Sequence, residues 1–202
     1  MSGKLITIEG IDGSGKTSLV RYLGEYYTHQ RYVFTVEPTH SWIGMDVRRA
    51  IASDVNPLAE LFLFMADHAQ HIDSVIRPAI LAGKIVISDR YSDSRCAYQG
   101  MTLKSIKADA FDWVEDLHTG WTVVPDLTIL LDVDVDVALS RCGNRDAMTK
   151  FEKLDFLTGV AENYRTLAKR HPGRFAVVDA SMSFEDVVKT VVGLIDMIAN
   201  SR

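Results

Sequence analysis

Residues 10–17 read Gly10, Ile11, Asp12, Gly13, Ser14, Gly15, Lys16 and Thr17, the spacing G-x-x-x-x-G-K-[ST] of a loop that wraps phosphate. Each residue type has a task in that chemistry. Glycines let the main chain close around an anion, so that successive N–H groups and the positive end of a following helix face its oxygens. A lysine at position 16 reaches the β and γ phosphates of a nucleoside triphosphate, and a threonine hydroxyl at position 17 is a ligand for Mg²⁺. The pattern points to ATP or GTP. It leaves the reaction open, because hydrolases, switches and kinases share it.

Such a loop works between a strand and a helix, and both flanks are written in the sequence. Residues 5–9 are short, apolar and β-branched, and residues 16–27 are amphipathic with helical spacing. Similar apolar runs return at 32–36, 85–88, 127–131 and 175–178, separated by longer stretches of helical spacing. The expected fold class is α/β, a five-stranded parallel sheet with helices on both faces. Pro57 opens a long helical pattern that Gly83 closes. Between residues 143 and 149, Gly, Asn and Asp interrupt another helical pattern; this polar break is either a mobile flap or an ordinary surface loop.

With 202 residues, 47% of them apolar, the chain is expected to form a single domain spanning residues 1–202 around one core. Its net charge of −5 argues against broad contact with nucleic acid or an anionic membrane. Phosphate chemistry must then use a local cluster of cations. Cys96 and Cys142 lie far apart without a CxxC pair, which suits reduced thiols and a cytoplasmic location. The chain enters an apolar strand pattern within four residues, so a leader peptide is not expected, and no apolar run has the length of a membrane span.

Glu9 and Asp12 extend the loop to EGIDGSGKT, and further stretches follow it. Residues 37–48, EPTHSWIGMDVR, are similar to EPGGTxxGExxR; residues 60–71, ELFLFMADHAQH, to LLFAADRAQH; and residues 77–100, RPAILAGKIVISDRYSDSRCAYQG, to PxLxxGxxVxxDRYxxSxxAYQG. Residues 131–145, LDVDVDVALSRCGNR, with Glu152 behind them and VVDAS near the end, resemble a lid and an adenine-side segment. In this order the motifs resemble the thymidylate kinase family over nearly the whole chain. The resemblance implies a P-loop kinase core with a short lid at about 141–152, a homodimer, Mg²⁺, and transfer of a phosphoryl group from ATP to dTMP, giving ADP and dTDP for dTTP synthesis.

Roles follow residue by residue. Gly10, Asp12, Gly13, Ser14, Gly15, Lys16 and Thr17 would hold the triphosphate, and Thr17 with Asp89 the metal. Asp89 and Arg90 end a predicted strand, where open α/β sheets bind ligands. Arg90 offers the acceptor phosphate a planar donor fork, with Arg48 a second candidate. By resemblance Asp12 contacts the sugar 3′-hydroxyl or the metal, and Tyr98 fills the space a 2′-hydroxyl would need. Phe64 either stacks on the base or belongs to helix core. Glu37, Ser94 and Gln99 complete the implied acceptor pocket. Gly13 stands where some members carry arginine, so Arg141 and Arg145 are expected to supply the charge that closes over the transferred group.

The chain departs from the family at several positions. His68 replaces an arginine that hydrogen-bonds the thymine edge, and Arg95 stands where a small or amide side chain reads the base. Either Arg95 restores the donor that position 68 lost, or the base differs. Thr39, His40 and Trp42 replace small residues of the EPGG turn, and Thr149 and Lys150 stand where an Asp-Arg pair is common. The alternatives left by sequence are a kinase for dUMP or a 5-modified dUMP, a P-loop switch, and a nucleotide-binding protein without catalysis.

Overall fold

The computed structural model describes the backbone of residues 3–142 and 150–200. The apolar runs become strands β1 (Lys4–Glu9), β2 (Tyr32–Val36), β3 (Ile85–Asp89), β4 (Leu127–Asp132) and β5 (Phe175–Asp179). All pair in parallel, in the order β2-β3-β1-β4-β5. The five-stranded parallel sheet therefore forms as expected, with ends within one residue of the sequence reading. The three inner strands are almost wholly buried, which is why they read as continuous apolar runs, whereas β2 is half-buried at an edge.

The loop at Gly10 leaves the end of β1 and enters α1 (Lys16–Tyr26), whose Leu19 and Leu23 are buried in one cluster with Ile6, Ile8, Ile85 and Ile87. Because side chains alternate along a strand, Leu5 and Val86 point to the opposite face, packed with Ile72, Ile76 and Ala79. Connections of more than a dozen residues carrying helices are what parallel pairing demands. They include α2 (Trp42–Ile51) and α3 (Pro57–His71) after β2, α5 (Ser92–Thr102) and α6 (Ala110–Asp116) after β3, and α7 (Val135–Cys142) and α8 (Lys150–Arg170) after β4; α9 (Phe184–Asn200) follows the last strand.

The helical pattern opened by Pro57 is not one helix. Asn56 caps α3 by accepting from the Leu58 N–H, but the path widens into a π turn at Ile72–Ile76 before resuming as α4 (Arg77–Leu81). Pro78 supplies the cause: its ring nitrogen cannot donate to the preceding turn, and the ring crowds the carbonyl it would have met.

Candidate functional site

The carboxyl ends of β1 and β3 converge on the glycine loop. Gly10, Gly13 and Gly15 adopt φ of 146°, 84° and 97°, a region that side chains disfavour. At Gly10 a side chain is also excluded by space, since a Cβ would lie 2.7 Å from the Leu131 carbonyl oxygen and 2.8 Å from Ser14 Oγ. Lys16 is 5% exposed, and its Nζ donates to the Ile11 carbonyl at 2.8 Å. Burial, reinforced by the Arg90 charge, pushes the Lys16 ammonium down to about 7. The cavity over this loop, about 730 Å³, is lined by Asp12, Lys16, Thr17, Asp89, Arg90 and Arg141. Arg141 reaches it from the end of α7, donating to the Ala180 carbonyl at 3.2 Å. Arg145 lies outside the described residues.

Arg90 is the only described non-glycine residue with positive φ, 67°. Its N–H donates to the Ile8 carbonyl at 3.0 Å, and its own carbonyl accepts from Ser88 Oγ at 2.7 Å. Nη2 pairs with Asp12 Oδ1, while Nη1 donates to Ser94 Oγ at 3.2 Å and more weakly to the Gly10 carbonyl at 3.4 Å. The guanidinium lies 5.0 Å from the centre of the Tyr98 ring, whose hydroxyl accepts the Asp12 N–H at 2.9 Å. Asp12, Arg90 and Tyr98 thus form one cluster beside the cradle.

Asp89 is 8% exposed, and burial raises its carboxyl although Lys16 and Arg90 oppose the shift. Its Oδ1 is buried without a protein hydrogen-bond donor. A carboxylate oxygen lacking a partner, in the same cavity as the Thr17 hydroxyl, fits a hard cation that keeps most of its waters.

The remaining acceptor-side candidates are distributed differently. Glu37, His68 and Arg95 come together, but with one another in the interior, at 2%, 0% and 2% exposure. Arg95 donates to Glu37 Oε2 at 2.6 Å, to His68 Nδ1 at 2.8 Å and to His118 Nε2 at 3.1 Å. Glu37 Oε1 also lies 2.6 Å from His71 Nδ1. Nearby cations and hydrogen bonds hold the Glu37 carboxyl well below the usual range, whereas burial and the Arg95 charge push His68 down to about 4. Ser94 turns toward Glu9. Arg48 donates to the carbonyls of Pro38, Thr39 and Gly44. It lines a second cavity, about 690 Å³, that runs along β2 and meets the first at Thr17, Val36 and Asp89. Phe64 and Gln99 are not among the residues lining that cavity. Phe64 is half-buried on α3, and Gln99 Nε2 donates to Glu60 Oε1, one helical turn before Phe64, at 3.2 Å.

Sequence reading missed His71, His118 and Tyr164. The first two complete the Glu37 network, and Tyr164 Oη lies 2.9 Å from Glu9 Oε2. Each stands alone in a helical or irregular stretch, and only the tertiary fold gives it a partner.

A phosphate cradle at the carboxyl edge of a parallel sheet, faced by the fork of Arg90, defines a P-loop nucleotide phosphotransferase. A family model described as thymidylate kinase matches residues 8–191. The chain is 55% identical over 201 residues to a "probable thymidylate kinase" of Methanococcoides burtonii, covering all of both proteins. It is 47% identical to one from Natronomonas pharaonis, covering 95% of this chain and 97% of the relative. Among solved structures, the thymidylate kinase of Ehrlichia chaffeensis superposes with a TM-score of 0.72 at 30% identity, covering 96% of this chain and 99% of that one. The chain belongs to the thymidylate kinase family.

Proposed function

We propose that the protein transfers the terminal phosphoryl group of ATP to dTMP, giving ADP and dTDP in the supply of dTTP. The observation that carries this reading is the placement of Arg90: its fork borders the same cavity as Lys16 and stands against Asp12 and Tyr98. A switch or simple hydrolase has no need of a second phosphate grip. Phosphoryl transfer asks the protein for alignment and charge stabilisation, so no protein nucleophile is required. The loop N–H groups and Lys16 hold the triphosphate, Arg90 holds the acceptor phosphate, and Arg141 adds positive charge from the rim. Asp12 anchors one arm of the Arg90 fork, and Tyr98 closes the sugar side against a 2′-hydroxyl. Thr17 and, through water, Asp89 would hold Mg²⁺, which would supply neutralisation of charge on the transferred group. Arg145 is assigned to the lid that covers the reaction.

Phe64 and Gln99 are assigned to the base. A second reading, with dUMP or a 5-modified dUMP as acceptor, draws on the burial of His68 and Arg95, which leaves base selection to fewer side chains. The deciding experiment measures ADP release with a panel of deoxynucleoside monophosphates, ATP and Mg²⁺. Turnover is expected to be fastest with dTMP; equal or faster turnover of another base would overturn the assignment. Lys16→Ala and Arg90→Ala should each lower turnover about a hundredfold or more, with circular dichroism unchanged.

We assign the protein to the cytoplasm as a homodimer. No helix among the described residues is long and apolar enough to cross a membrane. Trp42, Met45 and Phe62 expose 76%, 52% and 55% of their surface on the adjoining helices α2 and α3, which supports an apolar contact there. Sedimentation equilibrium tests it.

A further inference from the structure

Arg90 can grip a phosphate only if its fork is aimed, and part of that aim comes from a residue the reaction does not touch. Glu9, the last residue of β1, has no exposed surface. Its Oε1 accepts the N–H of Tyr91, the residue that opens α5, at 2.7 Å. Its Oε2 accepts from Ser94 Oγ at 2.5 Å and from the Tyr164 hydroxyl of α8 at 2.9 Å. Ser94 has a single proton, and the short contact to a carboxylate takes it. The Ser94 oxygen is then left as an acceptor, and Arg90 Nη1 donates to it at 3.2 Å. Tyr164, whose proton also goes to Glu9 Oε2, steadies the junction from a different helix through that carboxylate oxygen, its own oxygen 2.8 Å from Ser94 Oγ.

The backbone of Arg90 is held separately. Its left-handed conformation is fixed by Ile8 and Ser88, so the main chain sets where the side chain starts, and Asp12 and Ser94 set where it ends. Asp12 is an exposed side chain, whereas Ser94 is buried and cannot turn away without taking from Glu9 one of its three donors.

We infer that Glu9 is a positioning residue for the acceptor phosphate, acting through Ser94 on the guanidinium of Arg90, with Tyr164 bracing the relay from α8. The inference rests on the proposed acceptor role of Arg90. A glutamine at position 9 keeps the volume but cannot serve both sides. If its carbonyl faces Ser94, its amide faces the Tyr91 N–H, donor against donor. If it turns over, Ser94 loses its acceptor and is free to point its proton at Arg90.

The experiment is calorimetric titration of dTMP and of a nonhydrolysable ATP analogue into the full chain at about pH 8, where the carboxylate is ionised. Glu9→Gln and Ser94→Ala should each weaken dTMP binding about tenfold while leaving the ATP analogue within about twofold. In an Arg90→Ala background neither should weaken dTMP further by more than about twofold, because the relay has lost its target. Tyr164→Phe should give a smaller loss in the same direction. Unchanged dTMP affinity in Glu9→Gln overturns the inference, as does an equal loss in the Arg90→Ala background. If Glu9→Gln does not fold, Ser94→Ala and its Arg90→Ala cycle decide the question alone. A wild-type protein that binds dUMP in place of dTMP corrects the base and leaves the relay readable on dUMP. One that binds no deoxynucleoside monophosphate removes both the kinase reading and the relay.

Discussion

Glu9 and Glu37 lie at the carboxyl end of the same sheet on either side of β3, one closing β1 and the other directly following β2, and both are buried. Their protons behave in opposite ways. Glu9 is pushed up to about 7, first by loss of water and then by Asp93, against which Ser94, Tyr164 and Arg90 act only in part. Glu37 suffers the same loss of water yet is held well below the ordinary carboxylate range, because Arg95 pairs with it directly and the imidazoles of His68 and His71 crowd its other oxygen. Burial sets the cost in both cases, and a contacting cation decides the outcome. One carboxylate has become a fixed charge and the other a group that titrates near neutrality.

Arg95→Met should break the contrast most severely. It leaves Glu37 buried without its cation, and chemical denaturation should show a loss of about 3–5 kcal/mol. Arg95 also holds His68 down, so the His68 imidazole should climb from about 4 in an NMR titration of the variant, provided the variant is folded. Stability that is unchanged, with His68 unmoved, would show that the pair does not govern Glu37.

The second test uses pH. A carboxyl raised in the folded state holds its proton where the unfolded chain has lost it. The resulting stability is complete below about 4.5 and lost as pH rises through about 7. Between about pH 5 and about pH 8, wild type should therefore lose on the order of 2 kcal/mol relative to Glu9→Gln. Asp93, Arg90 and Tyr164 face Glu9, and Lys16 and Arg174 feel its charge. Groups that do not feel Glu9 cancel in the comparison; those that do, Lys16 above all at about 7, titrate together with it and are part of the difference. Glu37 works in the other sense: its depressed value gives stability above about 4.5 that disappears only in stronger acid. A flat difference between wild type and Glu9→Gln would remove the distinction between the two sites.

The smallest effect probes the outer end of the Glu37 network. Thr35 Oγ1 lies 2.6 Å from His71 Nε2, which frees Nδ1–H to donate to Glu37. Thr35→Val keeps the shape and removes that donor; a loss of about 1 kcal/mol in thermal unfolding is expected. No loss would mean that the imidazole finds its partner elsewhere.

The two sites also differ in how far sequence revealed them. The cradle is eight consecutive residues whose glycines, lysine and threonine are required by local backbone geometry, so its spacing alone announces it. The strands were legible because buried parallel strands tolerate little except apolar residues. The Glu37 network gathers Thr35, His68, His71, Arg95, His118 and Thr122 from separate parts of the chain. A single imidazole has no period. His68 and Arg95 read as base contacts because their neighbours match a nucleotide-binding pattern, and nothing local says that their polar ends point inward to a common carboxylate. Tyr164 reads as one more apolar position on a long helix. The π turn did have a visible cause, Pro78, but proline predicts a break without its form.

The crowding at Gly10 ties the width of the anion seat to the alignment of two strands. The loop backbone rests against the Leu131 carbonyl of β4, and β4 is keyed to β1 by Ile8 opposite Ile129 and Glu9 opposite Leu130. A slip of one residue would carry that carbonyl about 3.3 Å along the strand. The sheet therefore acts as a gauge block for the nucleotide: whatever keeps β1 and β4 in step also keeps the seat the right size.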